Sequence, residues 1–163
     1  MIAETAIRKR SNTIQHVKGV SDQDYEMLAM IAVKQDGCSL QYIKKQNESL
    51  CREAVSNYGC ALKYVIEQTP ELCEIAVRQR GSALSYVKDQ TRELCLEAVR
   101  NNCFALEGVK EQTEEICLES VKHYPMTIRY VKNQTKEICL EAVSRDRCAL
   151  QYVRDLEMRR ELS

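Results

Sequence analysis

Residues 83–104 are ALSYVKDQTRELCLEAVRNNCF, and the same phrase returns along nearly the whole chain. The valine or isoleucine of its opening ALSYV falls at Val17, Ile43, Val65, Val87, Val109, Val131 and Val153. The first step is 26 residues and every later one is 22. Self-similarity at such a period marks a stacked repeat, whose single units cannot bury their apolar faces alone.

Each period parses into two short helices. The first starts near Ala83 and carries Leu84 and Val87 three residues apart. The second follows a threonine at 69, 91, 113 and 135, whose hydroxyl suits an N-cap. Pro70 then falls at N1, where its missing N–H costs nothing. Glu71, Glu93, Glu115 and Glu137 occupy first turns, where the helix dipole favours a carboxylate. Leu94, Cys95, Ala98 and Val99 make one apolar stripe. Gly37, Gly59 and Gly81 fall where the second helix stops, which predicts left-handed C-terminal caps. Cys103, Pro125 and Arg147 hold that place later, so those turns are expected to differ.

Neither helix is long enough to be stable alone, so stacking must supply the core. The expected fold is an all-α, right-handed helical-repeat solenoid with two short helices per 22-residue unit and about six to seven units. Within one domain, 1–12 is an N-terminal half unit and 13–38 an extended first unit. Regular units fill 39–148, and 149–163 is a C-terminal capping helix. Four residues are gained in the extended unit, where Ser21, Asp22 and Asp24 start a longer helix.

The 163 residues carry 24 basic and 24 acidic side chains, so no net charge draws the chain to nucleic acid or an anionic membrane. Two prolines and five glycines favour helix over a turn-rich β fold. No apolar run approaches a membrane span, and the first residues lack a signal-peptide core, which predicts a cytoplasmic protein.

The consecutive phrases ALKYVIEQTPELCEIAVRQRG (61–81) and ALSYVKDQTRELCLEAVRNN (83–102) resemble a family known only as a domain of unknown function. That family is abundant in giant viruses and scattered through phages, bacteria and protists. The resemblance implies an α-helical array, often in a viral or mobile-element setting, and it implies no reaction. Leucine-rich variant repeats are a more distant likeness.

Evenly spaced cysteines invite thoughts of metal, disulfides or redox chemistry. Cys51, Cys73, Cys95, Cys117 and Cys139 share one position in the buried stripe, where a thiol acts as a small hydrophobe. Equivalent atoms in adjacent layers stand about 9–10 Å apart, beyond the roughly 7 Å that a disulfide spans. No zinc-like spacing occurs, and no metal or cofactor is expected. Cys38, Cys60 and Cys148 alternate at a second position with Ser82, Phe104 and Met126, as filler nearer the surface.

Tyr42, Tyr64, Tyr86, Tyr130 and Tyr152 form a half-buried ladder that Gly108 breaks, with Phe104 as the expected replacement ring. The recurring helix-start glutamates and glutamines are assigned to capping and dipole effects. His16 and His123 stand apart without a nucleophile, so no enzyme is expected. The function expected is a scaffold for a protein partner, a virus-encoded inhibitor of a host or defence component being its concrete form. Its candidate contacts are Tyr58, Arg80, Asn102, His123, Tyr124 and Arg145, at the variable ends of the second helices. A nucleic-acid-binding alternative would use the tyrosines with Lys88, Lys110, Lys132, Arg100 and Lys122. A homodimer through the N-terminal unit is a further expectation.

Overall fold

The computed structural model describes residues 2–163, all helix and connecting turn, and divides after Lys88 into two compact units. The first holds α1 (Ile2–Lys9), η1 (Ser11–His16), α2 (Asp22–Gln35) and η2 (Gly37–Tyr42), then α3 (Glu48–Asn57), η3 (Gly59–Tyr64), α4 (Pro70–Gln79) and η4 (Gly81–Tyr86), η denoting a 3-10 helix. The second holds α5 (Arg92–Asn101), η5 (Cys103–Gly108), α6 (Glu114–His123), η6 (Pro125–Tyr130), α7 (Lys136–Arg145), η7 (Arg147–Tyr152) and α8 (Leu156–Glu161). Within each unit, α-helices pack on α-helices of adjacent repeats and 3-10 helices on 3-10 helices. The all-α repeat is thus as expected. No helix is long and apolar enough to cross a membrane among the described residues.

One member of each pair is a 3-10 helix, and it starts two residues before the alanine that seemed to open it. Three residues per turn put Gly59, Leu62 and Val65 in one row, and all three are buried. The α-helices bury the stripe foreseen, such as Leu72, Cys73, Ala76 and Val77 in α4. Thr69, Thr91, Thr113 and Thr135 are N-caps, each accepting from the backbone N–H three residues on. Ser21 caps α2 in the same way.

The glycine expectation fails. Every α-to-η junction turns through an extended residue, with φ near −150° at Asp36, Tyr58, Arg80, Asn102, Tyr124 and Asp146. Gly19 is the one positive φ among the described residues. The glycines serve close approach instead: a Cβ on Gly59 would lie 2.4 Å from the Ala76 carbonyl oxygen, and one on Gly37 2.4 Å from that of Ala54. Because the turn needs no left-handed residue, Cys103, Pro125 and Arg147 keep the same junction.

Glutamine, not capping, joins the layers. Gln68 Nε2 donates to Leu62 O at 3.2 Å and to Tyr86 O of the next repeat at 2.9 Å. Its Oε1 accepts from Lys88 N at 3.0 Å and faces the Cys73 thiol at 3.9 Å. Gln112 and Gln134 repeat all of these backbone contacts, and Gln46 differs only in donating to Ile43 O in place of the carbonyl six residues back. A primary amide has two N–H donors and one carbonyl oxygen, so each side chain is saturated by backbone that needs partners. A second row, at the last residue of the α-helices, accepts from glycine amides: Gly59 N donates to Gln79 Oε1 at 2.7 Å, and Gly37 N to Asn57 Oδ1 at 3.3 Å.

Buried hydroxyls appear where the repeat departs from alanine. In the second unit Ser120 Oγ donates to Cys103 O at 2.8 Å and lies 3.0 Å from Thr127 Oγ1, which donates to Tyr124 O at 2.8 Å. Ser39 has no such arrangement; it is 1% exposed and its hydroxyl has no hydrogen-bond partner. Its counterparts are Ala61, Ala83, Ala105 and Ala149. Ser39→Ala is therefore expected to raise stability by about 1 kcal/mol, the cost of one orphaned hydroxyl. Chemical denaturation measures it, and a lower midpoint would mean that Ser39 has a partner.

Candidate interaction face

Six segments that run from a junction residue to the end of its 3-10 helix, 36–42, 58–64, 80–86, 102–108, 124–130 and 146–152, carry eight of the nine aromatic side chains; only Tyr25 lies elsewhere. The concentration follows from the fold. A six-residue 3-10 helix buries its alanine–leucine side, and its end residue must shield the layer while keeping one edge in water. In each unit the carbonyls of the end residues are held by the glutamine row.

The second unit has the most exposed rings. Phe104 and Tyr124 are 43% and 44% exposed, with centroids 5.5 Å apart and planes tilted at 58°. Tyr130 meets Phe104 edge-on at 6.4 Å. The Arg129 guanidinium lies 4.6 Å from the Tyr130 centroid and donates to its hydroxyl at 2.5 Å. Phe104 thus joins the aromatic rows of the following repeat.

In the first unit the Arg80 guanidinium lies 5.5 Å from the Tyr58 ring. Lys63 Nζ lies 4.5 Å from the Tyr64 centroid and 5.9 Å from that of Tyr86.

Of the expected partner-binding residues, the structure brings Tyr58 and Arg80 together in the first unit and places Tyr124 against Phe104 in the second. Asn102 is a local cap, its Oδ1 accepting from Phe104 N at 3.1 Å, as Asp36 and Asp146 do for Cys38 N and Cys148 N. His123 Nε2 lies 3.7 Å from the Glu119 carboxylate. Arg145 pairs with Glu141 and reaches Lys122 O at 3.4 Å. Phe104 and Tyr130 were legible as ladder rings but not as contact candidates, and Arg129 and Lys63 carried no signal of their own, although the clustering follows from aligning each 3-10 helix with the next.

The expected basic row runs along the stack. Lys88 Nζ donates to Ile66 O at 2.9 Å, and Lys132 Nζ to Lys110 O at 2.8 Å and Val109 O at 3.0 Å. Arg100 is paired with Glu119 of the next repeat at 2.9 Å. Lys122 is exposed at the end of α6. The ammonium groups of Lys88 and Lys132 are therefore committed to backbone carbonyls.

The stripe cysteines are buried, and four thiols face the Oε1 of a preceding glutamine at 3.5–3.9 Å. The second cysteine position is mixed: Cys60 is buried, Cys38 half-buried and Cys148 exposed. All nine cysteines are free. Among the described residues no group of three or more histidine, cysteine, aspartate or glutamate side chains could hold a metal ion.

Burial, then the Glu114 charge, pushes the Cys117 thiol up to about 11 from 9.0. Burial likewise raises Cys51, Cys95 and Cys139. Their folded-state preference for the neutral thiol is fully retained below pH 9 and is lost as pH rises past 9, where the unfolded chain releases these protons first. Stability should fall between pH 9 and about 11, less steeply in Cys117→Ala, as read by denaturation midpoints across that range. Equal slopes would show that Cys117 titrates normally.

These features define a repeat protein whose layers alternate α- and 3-10 helices, with an aromatic strip along the 3-10 side of each unit. A family model for a domain of unknown function (DUF4116) matches residues 28–69 and 113–159, more than half of the chain. The chain belongs to the DUF4116 family. No curated protein and no solved structure matches it.

Proposed function

We propose that the protein is a non-catalytic interaction scaffold that binds a protein partner through its 3-10 side, with Tyr124 and Phe104 as anchors in the second unit. The exposed Phe104–Tyr124 pair carries this reading, since two large rings held in contact and left over two-fifths exposed are costly unless something covers them. Tyrosine rings supply large contact area at low entropic cost and keep a hydroxyl for orientation. Arg129 and His123 on the rim add polar contacts.

The family resemblance supports a concrete form, a virus-encoded inhibitor acting on a host or defence component in the cytosol. The test is affinity capture with the tagged full chain, comparing wild type with Tyr124→Ala and Phe104→Ala at matched thermal stability. A stoichiometric partner lost on both changes supports the scaffold; a partner retained by both overturns this face. The recovered protein's identity tests the inhibitor form. A single monomer mass in light scattering at all concentrations would remove self-association through the N-terminal unit.

A further inference from the structure

The same side of the first unit differs in charge. Segments 58–64 and 80–86 contain three tyrosines, two cations and no aspartate or glutamate. The cations are Lys63 and Arg80, and both lie over tyrosine rings. Neither makes an ion pair among the described residues, whereas Arg8, Lys45, Arg52 and Arg78 of the same unit each sit on a carboxylate. Asp36, the one acid of the first unit's remaining segment 36–42, accepts a hydrogen bond from Cys38 N at 2.9 Å.

A guanidinium stacked on a ring keeps its N–H edge free in the ring plane, and the stacking removes part of the rotamer entropy that binding would otherwise cost. Lys63, held between two rings, is similarly placed without being neutralised.

We propose that this surface docks an acidic linear peptide of the protein partner, whose carboxylates pair with Lys63 and Arg80 while its apolar side chains pack on Tyr58, Tyr64 and Tyr86. The inference rests on the scaffold reading above and adds the partner's chemistry. A peptide is favoured over a nucleic acid on two grounds. Two cations on a chain of zero net charge cannot track a phosphate backbone. The rings that would stack bases are already faced by those cations. Carboxylate, by contrast, matches the edge of a guanidinium in a bidentate pair.

The experiment selects a random 12-residue displayed peptide library against the full chain, then titrates one enriched, labelled peptide by fluorescence anisotropy. Enriched peptides should be rich in aspartate and glutamate and bind Lys63→Gln/Arg80→Gln at least tenfold more weakly. A charge-matched control, Lys18→Gln/Lys34→Gln, should bind as wild type, and Lys63→Arg/Arg80→Lys should recover most of the loss. Acid-poor peptides, an equal loss in the control, or displacement by a single-stranded oligonucleotide would each overturn the proposal. All of the substituted side chains are exposed, so thermal melts should confirm that the variants fold.

The two readings fail separately. A captured partner lost on Tyr124→Ala but bound normally by Lys63→Gln/Arg80→Gln keeps the scaffold and rejects the acidic peptide. Acidic peptides that bind through Lys63 and Arg80, with capture indifferent to Tyr124→Ala, reject the second-unit anchor alone.

Discussion

Gln112→Ala should lower stability by about 3–4 kcal/mol, far beyond what an exposed polar residue normally contributes. Gln112 is half-buried, and its side chain serves Leu106 O at 3.0 Å, Tyr130 O at 3.1 Å and Lys132 N at 2.8 Å. Truncation strands Tyr130 O and Lys132 N, each costing about 1–3 kcal/mol less whatever entering water recovers, and takes one of two donors from Leu106 O, which keeps Val109 N at 3.2 Å. Gln112→Met separates bonding from packing, because it keeps the volume and removes the bonds. The methionine variant should lose nearly as much as the alanine one. If it matches wild type in urea denaturation, volume rather than hydrogen bonding holds the layers.

Gly59→Ala is the second large effect, about 3 kcal/mol of destabilisation. The added methyl would meet Ala76 O at 2.4 Å and Gln79 Oε1 at 2.9 Å, the acceptor that Gly59 N now uses at 2.7 Å. Overpacking of this kind costs about 1–3 kcal/mol, and the loss of a hydrogen bond adds about 1. Gly19→Ala is the useful contrast. Nothing lies within 4 Å of a Cβ there, but its φ is +71°, so any cost comes from backbone strain alone. A Gly59→Ala chain that melts with wild type would show that α4 slides away at no cost.

The repeat, the α-helix stripe and the threonine caps were legible because each depends on local spacing that one chain displays. Gly81, Leu84 and Val87 follow one another at a spacing of three, which is the 3-10 period. What stayed hidden was everything that passes between layers. Gln68 looks like a helix-start residue because its partners, Tyr86 and Lys88, lie 18 and 20 residues away. Gly59 looks like a cap because its true constraint, the Ala76 carbonyl, lies in the next repeat. The expected basic row was legible as residues, but that Lys132 Nζ turns onto Lys110 O and Val109 O was not, because those carbonyls lie 22 and 23 residues away. Among the candidate contacts, Tyr124 stood out as an edited position, while the exposed pair that Phe104 makes with it was not legible because the two residues lie in successive repeats.

The hydroxyl pair Ser120 and Thr127 bears on how such a chain can be recombined. The two residues are seven apart, but they lie on either side of a junction, Ser120 in α6 and Thr127 in η6. A duplication copying 104–125 would carry the serine without its threonine, leaving one copy's hydroxyl facing alanine. A duplication cut within a 3-10 helix's successor, from 115 to 136, would carry both. The heritable module is therefore the contact and not the 22-residue phrase, and chimeras spliced inside the α-helices should fold better than those spliced at the glycine junctions.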